Sequence, residues 1–241
     1  MTAGPVYGAK GRIGLIVPAN NSVIEPEFWS VLPKGMAVHA TRLLAKGDLT
    51  PEAIHRMERD TGAAMEAIAA TGVDVIAYCD MVTTFVMQAG WNESTMQRFS
   101  RSTGVPCLSA WTALRDALAK VGAKRLAIGT PYPAKIHAMV APFFEGRGFE
   151  VRSHGTLDIL SMREVPTVDR ARLKAFVKTL DLGGSDALVL LATDLPTFAV
   201  IDEIERESAV AVLTSNQTLL WRALSELDGA AGVRNLGRLF S

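Results

Sequence analysis

Apolar and polar positions alternate along the chain with two periods. RIGLIVP (12–18), MAVHATRLL (36–44), VDVIAY (73–78), a stretch around Val105–Leu108, RLAIGT (125–130), the run at 149–154, Ala187–Ala192 and Val210–Leu213 are short and apolar, many of them β-branched. Runs of that length are too short for helices and have the pattern of strands covered on both faces. Between them lie amphipathic stretches. One follows Asn20-Asn21-Ser22 and runs to about Val31, with Glu25 and Pro26 in its first turn. A longer one opens at Asp48-Leu49-Thr50-Pro51-Glu52 and extends to Thr71, with Ile54, Met57, Ala64 and Ile68 on one face. Others span Asn92–Ser102, Ala110–Val121, Asp169–Leu180, Thr197–Ser208 and Ser215–Leu227, and residues 1–10 read as a loose tail. Helix-start residues and a 3.6-residue apolar period predict helices there. Strands alternating with helices imply an α/β fold of parallel sheets wound by right-handed crossovers.

The programme is written twice. KRLAIGTPYPAKIHAMVAPFFEGRGFEVRSH (124–154) parallels GRIGLIVPANNSVIEPEFWSVLPKGMAVH (11–39) as strand, Pro-containing turn, helix, Gly-containing break and strand. SDALVLLATDLPTF (185–198) echoes VDVIAYCDMVTTF (73–85): an acid before the apolar run (Asp74, Asp186), polar residues after it, and a closing Thr-Phe (Thr84-Phe85, Thr197-Phe198). Two pseudo-symmetric parallel-sheet lobes follow, residues 1–122 and 123–241, with a cleft between them and a linker near Ala123. The last helix has the option of crossing back over the first lobe.

A chain of 241 residues, 49% of them hydrophobic, buries a sizeable core. Lys+Arg 25 against Asp+Glu 25 leaves no basic excess to neutralise phosphates, which disfavours a nucleic-acid partner and favours a small molecule. No apolar run reaches the ~18 residues of a membrane span, and MTAGPVYGAKGR lacks a signal-peptide core, so a cytoplasmic location is expected. Cys79 and Cys107 are too few for a disulfide framework. His39 and His154 fall in corresponding second strands and His55 and His137 inside helices, with no metal-ligand spacing among them.

Candidate chemistry gathers where strands end, since ligands of open α/β sheets bind beyond the carboxyl ends of the strands. After 73–78 come Cys79, Asp80, Thr83 and Thr84; after 187–192 come Thr193, Asp194 and Thr197. A carboxylate in a cleft, its pKa raised by burial, is a general acid or base; each Asp equally serves as a helix cap. Residues 79 and 80 should point to opposite sides, and the sequence leaves open which one faces the cleft. Asn20 and Asn21 either cap the first helix or aim its free N–H groups at an anion. Tyr132 offers a phenol in the matching turn of the second half, and Ser215-Asn216 a hydroxyl and an amide before the last helix, where Ser215 also reads as a cap.

These residues place the chain by resemblance. IGLIVPANNSVIEPEF (13–28), DVIAY with Thr84-Phe85, Gly129-Thr130 with Tyr132, and VLTSNQTLLW (212–221) resemble the Asp/Glu racemase superfamily, in its maleate cis-trans isomerase and arylmalonate decarboxylase branch. The resemblance implies two duplicated α/β lobes, a cofactor-free site between them, a homo-oligomer and a small carboxylate substrate. It also implies that Asn21 and Tyr132 hold a substrate carboxylate and that Ser215 and Asn216 line the pocket. The family's cysteines at the two central strand ends are altered. An ungapped comparison puts Asp80 at the first position, a one-residue slip restores Cys79, and Ala192 stands at the second. Met81 and Val82 replace residues that would cradle an anion.

The expected function is cofactor-independent isomerisation or decarboxylation of a small (di)carboxylate, with Asp80 or Cys79 moving the proton. Two alternatives stay open: a hydrolase or hydratase in which Asp80 and Asp194 activate water, and a non-catalytic carboxylate-binding relative.

Overall fold

In a computed structural model, which describes residues 6–229 and 233–241, the strands are β1 (Gly11–Pro18), β2 (Met36–Leu43), β3 (Val75–Tyr78), β4 (Cys107–Ser109), β5 (Arg125–Thr130), β6 (Glu150–Thr156), β7 (Ala187–Leu190) and β8 (Ala211–Thr214). They form two four-stranded parallel sheets, ordered β2-β1-β3-β4 and β6-β5-β7-β8, so the duplication read from the sequence is a duplication of topology. Residues 1–5 of the expected tail lie outside the described residues. The paired acids Asp74 and Asp186 have matching roles away from the cleft. Asp74 accepts the Arg12 backbone N–H (2.8 Å), and Asp186 accepts those of Lys124 (3.0 Å) and Arg125 (2.8 Å), each pinning the start of its lobe's central strand.

The inner strands, covered on both faces, are almost wholly apolar: Ile13, Leu15, Ile16 and Val17 of β1 and all of β3 and β7 are buried, whereas the edge strands β2 and β6 are partly exposed. Gly14 is where the helical layer comes closest, since a Cβ there would stand 2.7 Å from Ile68 Cγ1.

Between the lobes the core is aromatic. Phe85 of the first half meets Tyr132 (ring centroids 6.1 Å) and Phe143 (5.2 Å) of the second, and Trp111 packs edge-on to Phe143 at 4.8 Å. The helix Ser215–Glu226 crosses back to pack on the helix Ala110–Val121 and on β3, and Arg222 pairs with Asp116 at 3.1 Å.

One expectation needs correction: the long helix from Pro51 to Thr71 is two helices, Pro51–Glu58 and Thr61–Ala69. The break keeps Ile54, Met57, Ala64 and Ile68 on the core while Glu58 turns inward, hydrogen-bonded by the Tyr78 hydroxyl and by Thr61 Oγ1 (3.1 Å). The helix expected after Pro133 is likewise divided, into Ala134–His137 and Val140–Glu145. A one-turn helix, Thr83–Val86, follows the β3 tip.

Candidate active site

The tips of β3 and β7 meet. The Thr193 hydroxyl donates to the Cys79 carbonyl (2.8 Å) and accepts from Asn21 Nδ2 (3.1 Å), so three loops from two lobes close on one point. Beside it opens a small chamber. Asp80 and Asp194 form its acidic side with Asn20, Asn21, Tyr132 and Thr193, and its remaining wall is largely apolar, including Ile54, Met57, Ile159, Met162 and Val165. The chamber's rim is a cross-lobe seam: Leu49 N–H donates to the Leu160 carbonyl at 3.0 Å, and Asp48 bridges Ser161.

The sequence left open which of residues 79 and 80 faces this space, and the structure places Asp80 on it. Cys79 is wholly buried on the opposite side, its Sγ 3.2 Å from the Ala77 carbonyl. Burial and the nearby Glu25 charge push its thiol pKa far up, so it is a packing residue that carries no thiolate. Among the proposed catalytic residues, then, Asp80 and Asp194 come together and Cys79 does not join them.

The two acids are held differently. Asp80 Oδ1 accepts the Thr83 N–H at 2.8 Å, with the Val82 N–H and the Thr83 hydroxyl close by. Burial raises its pKa, and these donors, which favour the charged form, oppose the rise. Asp194 is raised to about 7, by burial first and then by the Asp80 charge; its own backbone N–H and Asn20 Nδ2 (3.3 Å) work in the other direction. Its loop leaves β7 through Ala192, whose φ of 96° is in the left-handed region. The Ala192 N–H donates to Ser215 Oγ at 3.2 Å, which helps hold that conformation.

The proposed substrate-binding residues divide into a lining set and a supporting set. Tyr132 lines the chamber, 3% exposed, and its hydroxyl has no hydrogen-bond partner among the described residues. Asn20 lines it too, its Nδ2 shared between Asp194 and the Met162 carbonyl (3.2 Å). Asn21 caps the helix Ile24–Val31, its Oδ1 accepting from Val23 N–H (2.9 Å) and Ile24 N–H (3.2 Å). Behind the wall lie Thr83, bonded towards Glu58 (3.4 Å); Thr84, which accepts from Asn92 Nδ2 (3.3 Å); Ser215; and Asn216. None of these four reaches the chamber, so the pocket-lining role that resemblance implied for Ser215 and Asn216 is replaced by a supporting one.

Two acids escaped the sequence reading. Glu27 is half-buried between lobes, where it accepts from the Thr197 N–H (2.6 Å), the Phe198 N–H (2.8 Å) and Asn216 Nδ2 (2.6 Å). Asn216 Nδ2 also donates to the Thr193 carbonyl (2.9 Å), so this chain of bonds runs to the β7 tip. Glu58 lies behind Asp80 and feels its charge. Burial pushes both glutamates up to about 7. Their signal was positional: Glu27 lies three residues after Ile24 and Glu58 four after Ile54, each on the apolar face of its helix. Elsewhere His137 Nε2 and His154 Nδ1 meet at 2.9 Å beside Thr130. Among the described residues no group of three or more His, Cys, Asp or Glu is placed to hold a metal ion, and no helix is long and apolar enough to cross a membrane.

Chemically, this arrangement can carry a proton to and from a small guest. A carboxyl that titrates near neutrality stands beside a second carboxylate and a phenol, in a largely apolar chamber.

Known proteins share this fold over nearly the whole chain. A maleate isomerase of Geobacillus stearothermophilus is 28% identical over 244 residues, spanning 95% of this chain and 97% of its own. An arylmalonate decarboxylase of Bordetella bronchiseptica is 26% identical over 234 residues, 95% of each chain. Among solved structures, a Nocardia farcinica maleate cis-trans isomerase mutant with a covalently bound succinylcysteine intermediate superposes with a TM-score of 0.89 at 28% identity, over 95% of this chain and 98% of its own. A liganded arylmalonate decarboxylase double mutant gives 0.87 at 26% identity, over 96% and 99%. The family model for arylmalonate decarboxylase matches residues 13–240, and the chain belongs to that family.

Proposed function

We propose that this chain is a cofactor-independent enzyme of isomerase or decarboxylase type that works by proton transfer between its two strand-tip carboxyls and a carbon of the substrate. One observation carries the reading: Asp80 and Asp194 converge on a single, largely apolar chamber, with the pKa of Asp194 raised to about 7. The names of the relatives, maleate isomerase and arylmalonate decarboxylase, make small carboxylic acids and their derivatives the first compounds to try.

In this mechanism the substrate's acidic carbon lies between the carboxyls. Asp80, held charged by the Thr83 and Val82 donors, is the base, and Asp194 delivers a proton near neutral pH. In an isomerisation the carbon proton passes to Asp80, the C–H electrons move into the adjoining carbonyl, and Asp194 returns a proton to the carbon. In a decarboxylation the C–C electrons take the same path, carbon dioxide leaves, and Asp194 protonates the carbon and is recharged from solvent. The developing oxyanion accepts the Tyr132 O–H, which has no other partner among the described residues. The chain's own side chains supply every proton-moving group.

The test is solvent deuterium incorporation at the α-carbon of a panel of substituted malonates, acids and amides, followed by NMR. Wild-type protein and Cys79→Ala should exchange at similar rates, and Asp194→Asn and Asp80→Asn should lose exchange. Undiminished exchange in both Asp variants refutes the reading; solvent oxygen appearing in the product instead identifies water activation.

A further inference from the structure

Asp80 is fixed by its own loop, through the Thr83 N–H, whereas the segment that carries Asp194 is fixed from the opposite lobe. Asp194 sits in a short span, Asp194-Leu195-Pro196, between Thr193 and Thr197. Pro196 fixes one of its own backbone torsions and narrows those of Leu195, whose side chain is wholly buried. Such a span keeps little freedom once its two ends are held.

One helix of the first lobe holds both ends. At the near end Asn21, the cap of the helix Ile24–Val31, donates Nδ2 to the Thr193 hydroxyl at 3.1 Å. At the far end Glu27, on the same helix, accepts the Thr197 N–H at 2.6 Å and the Phe198 N–H at 2.8 Å on Oε1, where the short turn Phe198–Val200 begins. Glu27 Oε2 takes Asn216 Nδ2 at 2.6 Å, and that nitrogen reaches back to the Thr193 carbonyl at 2.9 Å. The bonds therefore close a ring around Asp194, and those to the carboxylate are the charge-assisted, stronger kind. Asn216 Oδ1 is buried without a partner among the described residues, so this amide is oriented by its donations alone. Glu27 is not among the residues that line the chamber.

We infer that Glu27 is a positioning residue for the second acid: with Asn21 at the start of the same helix, it fastens both ends of the span that carries Asp194 and so sets that acid opposite Asp80 from across the lobe interface. The catalytic consequence rests on the proton-transfer reading; the placement of Asp194 rests on the hydrogen bonds. Glu27→Gln keeps an oxygen for the Thr197 and Phe198 N–H groups, so the fold should hold. Its new NH2 group faces the donor side of Asn216. The relief is for Asn216 to reverse its amide, which brings its free Oδ1 round and takes the N–H away from Thr193.

Carbon-13 NMR titration of the Asp194 carboxyl tests the placement without a substrate. In Glu27→Gln and in Asn216→Ala its apparent pKa should fall from about 7 towards the ordinary carboxylate range, as the span leaves its buried seat. Amide hydrogen exchange at Asp194 and Leu195 should quicken by about tenfold in both. Loss of the Glu27 charge alone would move the titration in the first variant only and leave the amides unchanged, and that result overturns the inference. Glu205 is the control, a buried acid of the same lobe that accepts the Val212 and Arg238 N–H groups, each at 2.9 Å, instead of those beyond the β7 tip. Glu205→Gln should leave Asp194 as in the wild type; an equal change there overturns the inference, as does an Asp194 that titrates and exchanges normally in Glu27→Gln. On any compound that exchanges deuterium, Glu27→Gln should lower kcat by about tenfold or more with KM within about twofold, because a small misplacement of a reacting group costs rate before it costs binding. An Asp194 moved by Glu27→Gln with no deuterium exchange on any compound leaves this inference standing and refutes the proton-transfer reading; deuterium exchange with an unmoved Asp194 does the reverse.

Discussion

At the tip of β3, Asp80 turns back on its own loop and takes the Thr83 N–H group, as a helix cap does. At the tip of β7, Ala192 swings the chain through a left-handed turn, and Asp194 accepts one amide hydrogen of Asn20. Duplication gave both lobes an acid at the same place, and the local turn then set the two apart. In the proposed mechanism this contrast lets two chemically identical groups divide base and acid roles.

Removing either side of that contrast should have the largest effects. Asp194→Asn leaves the chamber without a group that titrates near neutrality, and turnover or α-carbon exchange should fall by about 10³-fold. Asp80→Asn keeps a side chain able to cap Thr83, so the fold should hold while exchange falls by about 10²-fold. Steady-state rates on any compound that exchanges check both. Tyr132→Phe should cost about tenfold in kcat with little change in KM, because its hydroxyl is needed only once charge develops.

Stability sharpens the comparison through Glu27, which braces the β7 side by way of Asn216. In the fold Glu27 ionises near 7, and in the unfolded chain near its ordinary 4.5. Between those values the folded state holds the extra proton, so stability falls as pH rises through this window and levels off above it. The decline from this one group is roughly 3 kcal/mol. Glu27→Gln should flatten it, read as the urea midpoint against pH. The smallest effect is expected at Cys79: its replacement by alanine should cost about 1 kcal/mol of stability and leave turnover within about twofold.

Much of this was legible in the residues. The β-branched runs, the helix starts expected near Asn21 and Asp169 and the repeated Asp–apolar run–Asp layout specified strands, helices and two lobes, because each depends on local pattern. The direction of Asp80 was not legible, since it depends on how the chain leaves β3 and on which lobe lies opposite. Neither was the break at Arg59-Asp60, which follows from Glu58 reaching the Tyr78 hydroxyl, a partner 20 residues away. Ser215 and Asn216 looked like pocket residues because they follow a strand tip. Their hydroxyl and amide instead serve the neighbouring tip through Ala192 and Thr193, a contact set by the packing of β7 against β8.

The most direct test of the division between the two acids is a carbon-13 NMR titration of the Asp194 carboxyl in the wild type and in Asp80→Asn. The account predicts an apparent pKa of about 7 in the wild type and a clear fall in the variant, because the Asp80 charge contributes to the rise. An Asp194 carboxyl that titrates in the ordinary carboxylate range, or one indifferent to Asp80, would contradict it.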